Sequence, residues 1–282
     1  PDGDTISYTA TNPTHGTLSG TAPNLTYTPD TGYSGPDSFT FTTNDGKATS
    51  PPATVTITVT PVTPPSQCAS PAPQVDKVVW ADYGHPQRRL VSPKLSTSQG
   101  GALILAFVAA DGPRHATQRA VSVWGGGLTW TLARRSNTTW GTTEVWQAYA
   151  TSRLTGAVIT AKLANPGYDG SITVAAFTGA AAKVGATAAA AGLKAAPTAT
   201  VKPTRCDSLI WAAGHDWTSA KKPVPVAGQS IVHSFIDRRV CDSFWTQRVN
   251  TPTGVLTTPV TVRATGPVKD RWTMAAVEIP AA

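Results

Sequence analysis

Apolar and polar positions along this chain alternate with a period of two, and almost nowhere with the three-to-four spacing of a helix. In the first sixty residues the alternating runs are "TISYTA", "NLTYTP", "DSFTFTT" and "ATVTITVT". Ile6 and Tyr8 share a strand face, as do Leu25 and Tyr27, Phe39 and Phe41, and Val55, Ile57 and Val59. The opposite faces carry threonine and serine, which suit a solvated strand surface. "NDGK" at 44–47 predicts a hairpin turn, because Asn and Gly accept the positive φ of a tight turn. Residues 60–74, "TPVTPPSQCASPAPQ", hold five prolines in fifteen positions and read as a stiff, extended spacer.

Beyond the spacer the same period continues in thirteen short runs: "KVVWADYG", "RRLVSPKL", "ALILAFVAA", "AVSVWGG", "LTWTLARR", "TEVWQAYA", "AVITAKLA", "SITVAAFTG", "SLIWAAGH", "QSIVHSFID", "DSFWTQRV", "PVTVRA" and "WTMAAVEI". "ALILAFVAA" is apolar on both faces and predicts a central strand. The alanine-rich segment 180–200 lacks an apolar stripe and reads as a long loop. The expected fold is all-β: a sandwich over 1–60, a linker over 61–74, and a larger jelly-roll-like β-sandwich over 75–282.

Composition adds a location and a charge asymmetry. Pro1 stands where a native start would have Met, so the chain reads as a fragment of a longer secreted, modular protein. No apolar run reaches the roughly 18 residues that span a bilayer, so no membrane span is expected. Residues 1–65 carry five aspartates against Lys47, whereas the rest carries 22 Lys and Arg against 11 acids, within a net charge of +7. A basic second domain suits an anionic polymer, or else spreads solubilising charge over a β-rich surface. The three cysteines are too few for a disulfide scaffold. Cys206 in "CDSLIW" and Cys241 in "CDSFWT" each precede an alternating run, so they are expected to bridge if those strands are neighbours. Such a loop stabilises by roughly 3–4 kcal/mol. Cys68 is the alternative partner, or is free.

Residues 1–60 resemble the bacterial cadherin-like and Ig-like tandem repeats of large surface and secreted proteins. The resemblance is carried by "PDGDTISYTA", "HGTLSG", "GYSGPDSF" and the Asp-Gly hairpin, in that order. It implies an Ig-like sandwich lacking its first strands, with a partly open face and an exposed sheet edge. It also implies calcium held by Asp2 and Asp4, with Asp45 or Asp37 assisting, against the plainer reading that Asp and Gly only form a turn. Residues 75–282 resemble a β-sandwich module of secreted multi-domain bacterial proteins. Here the signal is "LTWTLARRSNTTWGTTEVWQAYA", "SITVAAFTGA" and "SLIWAAGHDW…QSIVHSFIDRRVCDSFWTQR".

All nine tryptophans lie in the second domain. Trp130 and Trp211 alternate with leucines and are expected in the core. Trp140 in "SNTTWGTTE" and Trp217 in "GHDWTSAKKP" are loop-like, and flat rings on loops stack against sugars. Asp216, His215, Asn137 and Arg135 are the polar groups expected to orient such a sugar, unless each tryptophan simply packs under its own loop. A metal site from His215, Asp216 and His233 requires their strands to pair. His233 and Asp237 lie some 13 Å apart along one strand face, too far for a dyad. The domain has two glutamates, Glu144 and Glu278, few for the carboxylate pair of a glycosidase. It has no Gly-x-Ser-x-Gly elbow, and "GGG" at 125–127 precedes a strand rather than a helix. Basic-aromatic strands such as "FWTQR" carry no nucleic-acid motif.

The leading expectation is a non-catalytic extracellular module for adhesion or carbohydrate binding, its partner a polysaccharide, a cell-surface glycan or an anionic polymer. The alternatives are a structural spacer or self-associating fibre protein, and a glycan-active enzyme such as a polysaccharide lyase. The lyase residue types are supplied by His85, Tyr83, Tyr149, Gln147 and Arg248, without a motif.

Overall fold

The computed structural model describes residues 5–60, 71–115, 117–138, 140–254, 258–266 and 271–282. The protein is all-β, and among the described residues no helix is long and apolar enough to cross a membrane. The chain divides into two compact units, Pro1–Ser66 and Gln67–Ala282.

The first unit holds β1 (Ser7–Ala10), β2 (Gly16–Thr21), β3 (Asn24–Pro29), β4 (Gly35–Asn44) and β5 (Ala53–Val59). One sheet runs β1-β4-β5 and the other is the β2-β3 hairpin. The predicted turn joins β4 to β5: Asn44 Oδ1 accepts from Gly46 N, and Gly46 has φ +89°. The predicted apolar faces converge, but incompletely. Tyr8, Pro23, Leu25, Phe39, Phe41 and Val55 line an apolar cavity of about 290 Å³, and Ile6 and Tyr8 stay exposed. β2 was not among the predicted strands, because two glycines and a serine thin out its alternation.

The second unit is a duplication. Its first half contains β6 (Gln74–Gln87), β7 (Arg89–Val91), β8 (Ala102–Ala110), β9 (Ala120–Gly125), β10 (Thr131–Ser136), β11 (Thr142–Ala150), β12 (Ile159–Leu163) and β13 (Tyr168–Thr178). Its second half contains β14 (Thr187–Gly192), β15 (Thr198–Val201), β16 (Leu209–Asp216), β17 (Val224–Pro225), β18 (Gln229–Asp237), β19 (Asp242–Val249), β20 (Val260–Gly266) and β21 (Trp272–Ile279). The first half forms sheets β10-β11-β8-β13-β6 and β7-β12-β9; the second forms β18-β19-β16-β21-β14 and β15-β20-β17. Each strand of the first half has its counterpart eight strands later, in the same order. Both halves wind as a jelly roll, with the fifth strand paired onto the edge of the larger sheet.

The second unit is therefore two eight-stranded sandwiches rather than one large one. Three apolar layers hold it together. One lies inside the first sandwich, around Ile104, Val108, Trp146, Ile159 and Ile172. One lies inside the second, around Ile210, Trp245, Val262, Met274 and Trp272. The third joins Leu103, Leu105, Phe107 and Phe177 of the first to Trp211, Val277 and Ile279 of the second. The two five-stranded sheets thus pack face to face. This explains "ALILAFVAA": β8 is buried along its whole length because apolar layers cover both its faces.

Segment 180–200 is not a long loop. It contains β14, paired along β21, and β15, paired along β20. Its small side chains are what the site accepts: a Cβ on Gly192 would press against the Trp272 ring, and Ala188 and Ala190 pack on the second core. An alanine run gives no contrast between faces, so periodicity was silent there.

Candidate functional site

The groove between the two sandwiches ends in a cluster of acids. β8 delivers Asp111 just past its last residue, β16 delivers His215 near its end, and β19 starts with Asp242. These three offer ligand atoms that all lie within 4.8 Å of one another. His215 is fully buried, and neither ring nitrogen has a hydrogen-bond partner. Its Nε2 stands 4.0 Å from Asp242 Oδ2, beyond hydrogen-bond length. The ring stacks on Phe244 at 4.5 Å and leans on Trp217 at 5.1 Å. It lies so close to Gly141 that a Cβ there would strike Nδ1.

Asp169 and Asp237 add two carboxylates nearby. Arg239 Nη2 donates to Asp169 Oδ2 at 2.8 Å, which ties the β18–β19 turn of one sandwich to β13 of the other. Asp237 Oδ1 accepts from Arg239 N at 2.9 Å. The electrostatics follow from four acids against one arginine. Burial pushes Asp242 up to about 8, with Asp169 and Asp237 adding to the rise. Burial also lifts Asp111 to about 6, against an opposing pull from His215. Burial drives His215 down to about 4, despite Asp111. Asp169 is raised by burial and by Asp237, in opposition to Arg239. A cavity of about 290 Å³ opens onto this cluster between Asp111, Trp140, Tyr168, Trp217 and Asp242.

The residues predicted to orient a sugar fall into two groups. Trp140 and Trp217 do come together, with ring centroids 6.3 Å apart. Trp217 is buried, as are His215 and Asp216, so Trp140 is the ring within reach of solvent. Two guanidiniums lie over it, Arg271 at 4.1 Å and Arg114 at 4.9 Å. Together with His115, Thr117, Thr138 and Leu193 they bound a second cavity of about 450 Å³. Arg135 and Asn137 serve the framework instead. Arg135 pairs with the buried Glu144 at 2.9 Å, and Asn137 Nδ2 donates to the Gln118 carbonyl. Asp216 Oδ1 accepts from Thr218 N across its own turn.

Two cysteines and one histidine correct the sequence reading. The Cys206–Cys241 bridge does not form: Cys241 is a free, exposed thiol at φ +64°, whereas Cys206 is disulfide-bonded. Their strands are indeed neighbours, but antiparallel, with Trp211 opposite Arg248 and Asp216 opposite Ser243. Residues that precede two antiparallel strands sit at opposite ends, here separated by the whole length of β16, roughly 24 Å. Cys68 lies outside the described residues. The trio His215, Asp216 and His233 is not assembled either. Neighbours on a strand point to opposite faces, and His233 Nε2 bonds Asp82 at 2.9 Å while stacking on Trp80. Asp111 and Asp242 were not among the predicted site residues. Their visible signal was position: Asp111 directly follows the apolar run of β8, and Asp242 opens β19.

In the first unit, Asp37 is a structural hub. It accepts from Thr14 N, His15 N, Ser38 N and, at 2.8 Å, Tyr27 Oη. Burial works against ionisation of Asp37, but these bonds hold its carboxyl below the usual range. Asp45 Oδ1 accepts from Lys47 N and Ala48 N and closes the hairpin turn. Asp2 and Asp4 lie outside the described residues.

Residues 1–58 match the bacterial Ig domain. Ig-like domains of this kind are often carried by extracellular or surface proteins. No curated protein and no solved structure matches the chain. The Ig domain accounts for the first unit, and the function of the double sandwich rests on its own geometry.

Proposed function

We propose that the chain is a non-catalytic binding module of an extracellular bacterial surface protein, and that the double sandwich holds an acidic carbohydrate polymer at its Trp140 end. The observation that carries this reading is the Trp140 ring beneath the guanidiniums of Arg114 and Arg271 at the mouth of a cavity. A uronate carboxylate matches the fork of an arginine, and the Trp140 ring holds both guanidiniums in place by cation–π contact. The excess of basic residues beyond residue 65 favours an anionic polymer over a neutral one. The Ig domain supports the surface location.

The test is retention of the full chain on immobilised acidic and neutral polysaccharides. Retention on acidic polymers is expected, weakened at least tenfold in Trp140→Ala and in the Arg114→Ala/Arg271→Ala pair. Equal retention of wild type and variants, or none on any polymer, overturns the reading and favours a structural spacer. Calcium at Asp2, Asp4 and Asp45 is a separate proposal for the Ig domain. It requires a calcium-dependent rise in Tm that Asp2→Asn/Asp4→Asn abolishes.

A further inference from the structure

We propose that Asp111, His215 and Asp242 bind one divalent transition-metal ion of the zinc class, which bridges the two sandwiches. Asp111 belongs to the first sandwich, and His215 and Asp242 belong to the second. An ion held by all three therefore fastens the seam at the end where the apolar layer between the sheets gives way to carboxylates.

Three observations point to a ligand rather than to a chance cluster of acids. The first is His215, wholly buried with both ring nitrogens unpartnered. An imidazole in that state forfeits the hydrogen bonds it had in water, at a cost the protein recovers only if something occupies the site. The second is Asp242, 2 % exposed, with Oδ2 likewise unpartnered. The third is the distribution of positive charge. Arg239 is committed to Asp169 and Asp237, and Arg114, which lines the same cavity, lies over the Trp140 ring.

The donor set selects the class of ion. One imidazole nitrogen and two carboxylates suit zinc and its neighbours, whereas calcium takes six to eight oxygens and magnesium keeps most of its water. A tetrahedral ion with bonds of about 2.1 Å separates its donors by about 3.4 Å. The 4.0 Å between His215 Nε2 and Asp242 Oδ2 is already near that value. Asp111 is only half-buried and closes the remaining gap by side-chain rotation. The fourth position faces the cavity beside Trp140 and Tyr168, where water or a group from a ligand completes the shell. Gly141 belongs to the same design, since any larger residue would displace the His215 ring.

The experiment uses the full chain stripped with a chelator and titrated with cobalt(II) and zinc. The expected result is one equivalent of cobalt with visible bands of tetrahedral intensity, displaced by zinc, together with a higher Tm in the loaded protein. His215→Gln and Asp111→Asn should each weaken binding at least tenfold. Asp111 lies at the rim, so Asp111→Asn is expected to keep the Tm of the stripped wild type and shows that loss of metal is not loss of fold. Absence of stoichiometric binding overturns the proposal. So does binding that survives both substitutions, which would place the ion on another histidine. A response to calcium but not to zinc or cobalt overturns the assignment of ion class. Polysaccharide retention by Asp111→Asn is read separately, so failure of the metal site and failure of the glycan reading are distinguishable.

Discussion

The two sandwiches of the second unit share one winding and bury a carboxylate in different ways. In the first, Glu144 on β11 is neutralised by Arg135 and also receives Ala120 N, Thr142 Oγ1 and Trp146 Nε1. In the second, Glu278 on β21 pairs with no guanidinium among the described residues. It receives Ala186 N, Thr204 N, Arg205 N, Thr204 Oγ1 and Ser208 Oγ from the segments before β14 and β16. The positions are not equivalent. Glu278 stands opposite Ile210, where the first sandwich has Ala176 opposite Ile104. Glu144 stands opposite Val108, where the second has Trp245 opposite Gly214. A fully buried carboxylate is thus tolerated wherever enough donors converge, and the winding leaves open which donors those are.

The comparison breaks most severely if the layer common to both sandwiches is removed. Trp211 meets Phe177 edge-on at 5.0 Å and lies over Phe107 at 5.7 Å. Trp211→Ala should cost about 3–5 kcal/mol, read as a lower urea midpoint, and should separate the unfolding of the two sandwiches. A single unchanged transition would show that the layer does not couple them.

Next come the carboxylates. Glu144→Ala strands Arg135 and should cost about 3–5 kcal/mol, whereas Glu278→Ala strands backbone donors and should cost about 3 kcal/mol. Acid separates Glu278 from a merely space-filling group. Burial opposes its ionisation, but the amides of Ala186, Thr204 and Arg205 and the Ser208 hydroxyl outweigh burial and hold its carboxyl below the usual range. Its contribution is therefore complete above the unfolded value of about 4.3 and is lost as pH falls through the lower folded value. The gap in urea midpoint between wild type and Glu278→Gln should close on going from about pH 7 to below about pH 3. A gap that stays constant would refute the ionised state.

Smaller effects sharpen the contrast. Gly214→Ala forces the Trp245 ring out of its place and should cost about 1–3 kcal/mol. The equivalent Val108→Ala in the first sandwich should cost a similar amount through the opposite fault, a cavity. Asp82 and His233 pair across the seam with partial exposure. Asp82→Asn should cost less than about 1 kcal/mol, measured by thermal unfolding at low and high salt.

How much of this was legible depended on the kind of signal. Alternation located β1, β3, β4 and β5 and thirteen of the strands of the second unit, where a run of apolar positions on one face or on both marks the strand. It missed β14 and β15, where alanine presents no contrast, and β17, which is two residues long. It also missed the duplication. "LILAFV" and "LIWAAG" share a place in the winding but differ at the positions where one sandwich packs Val108 and the other opens Gly214 to an indole. Trp140 and Trp217 were legible as a pair of unusual tryptophans, but not as one half-buried and one buried.

The sequence alone determined the all-β class and the central place of β8, and its motifs carried the Ig-like resemblance of residues 1–58. The all-β class and the place of β8 follow from period, turn chemistry and composition, which act over a few residues. The tertiary structure alone decided that Cys206 and Cys241 lie at opposite ends of antiparallel strands. It alone brought Asp111 across the seam to His215 and Asp242, residues more than a hundred positions away in sequence. Strand order and direction set those distances, and no local pattern in the chain encodes which sheet a given strand will join.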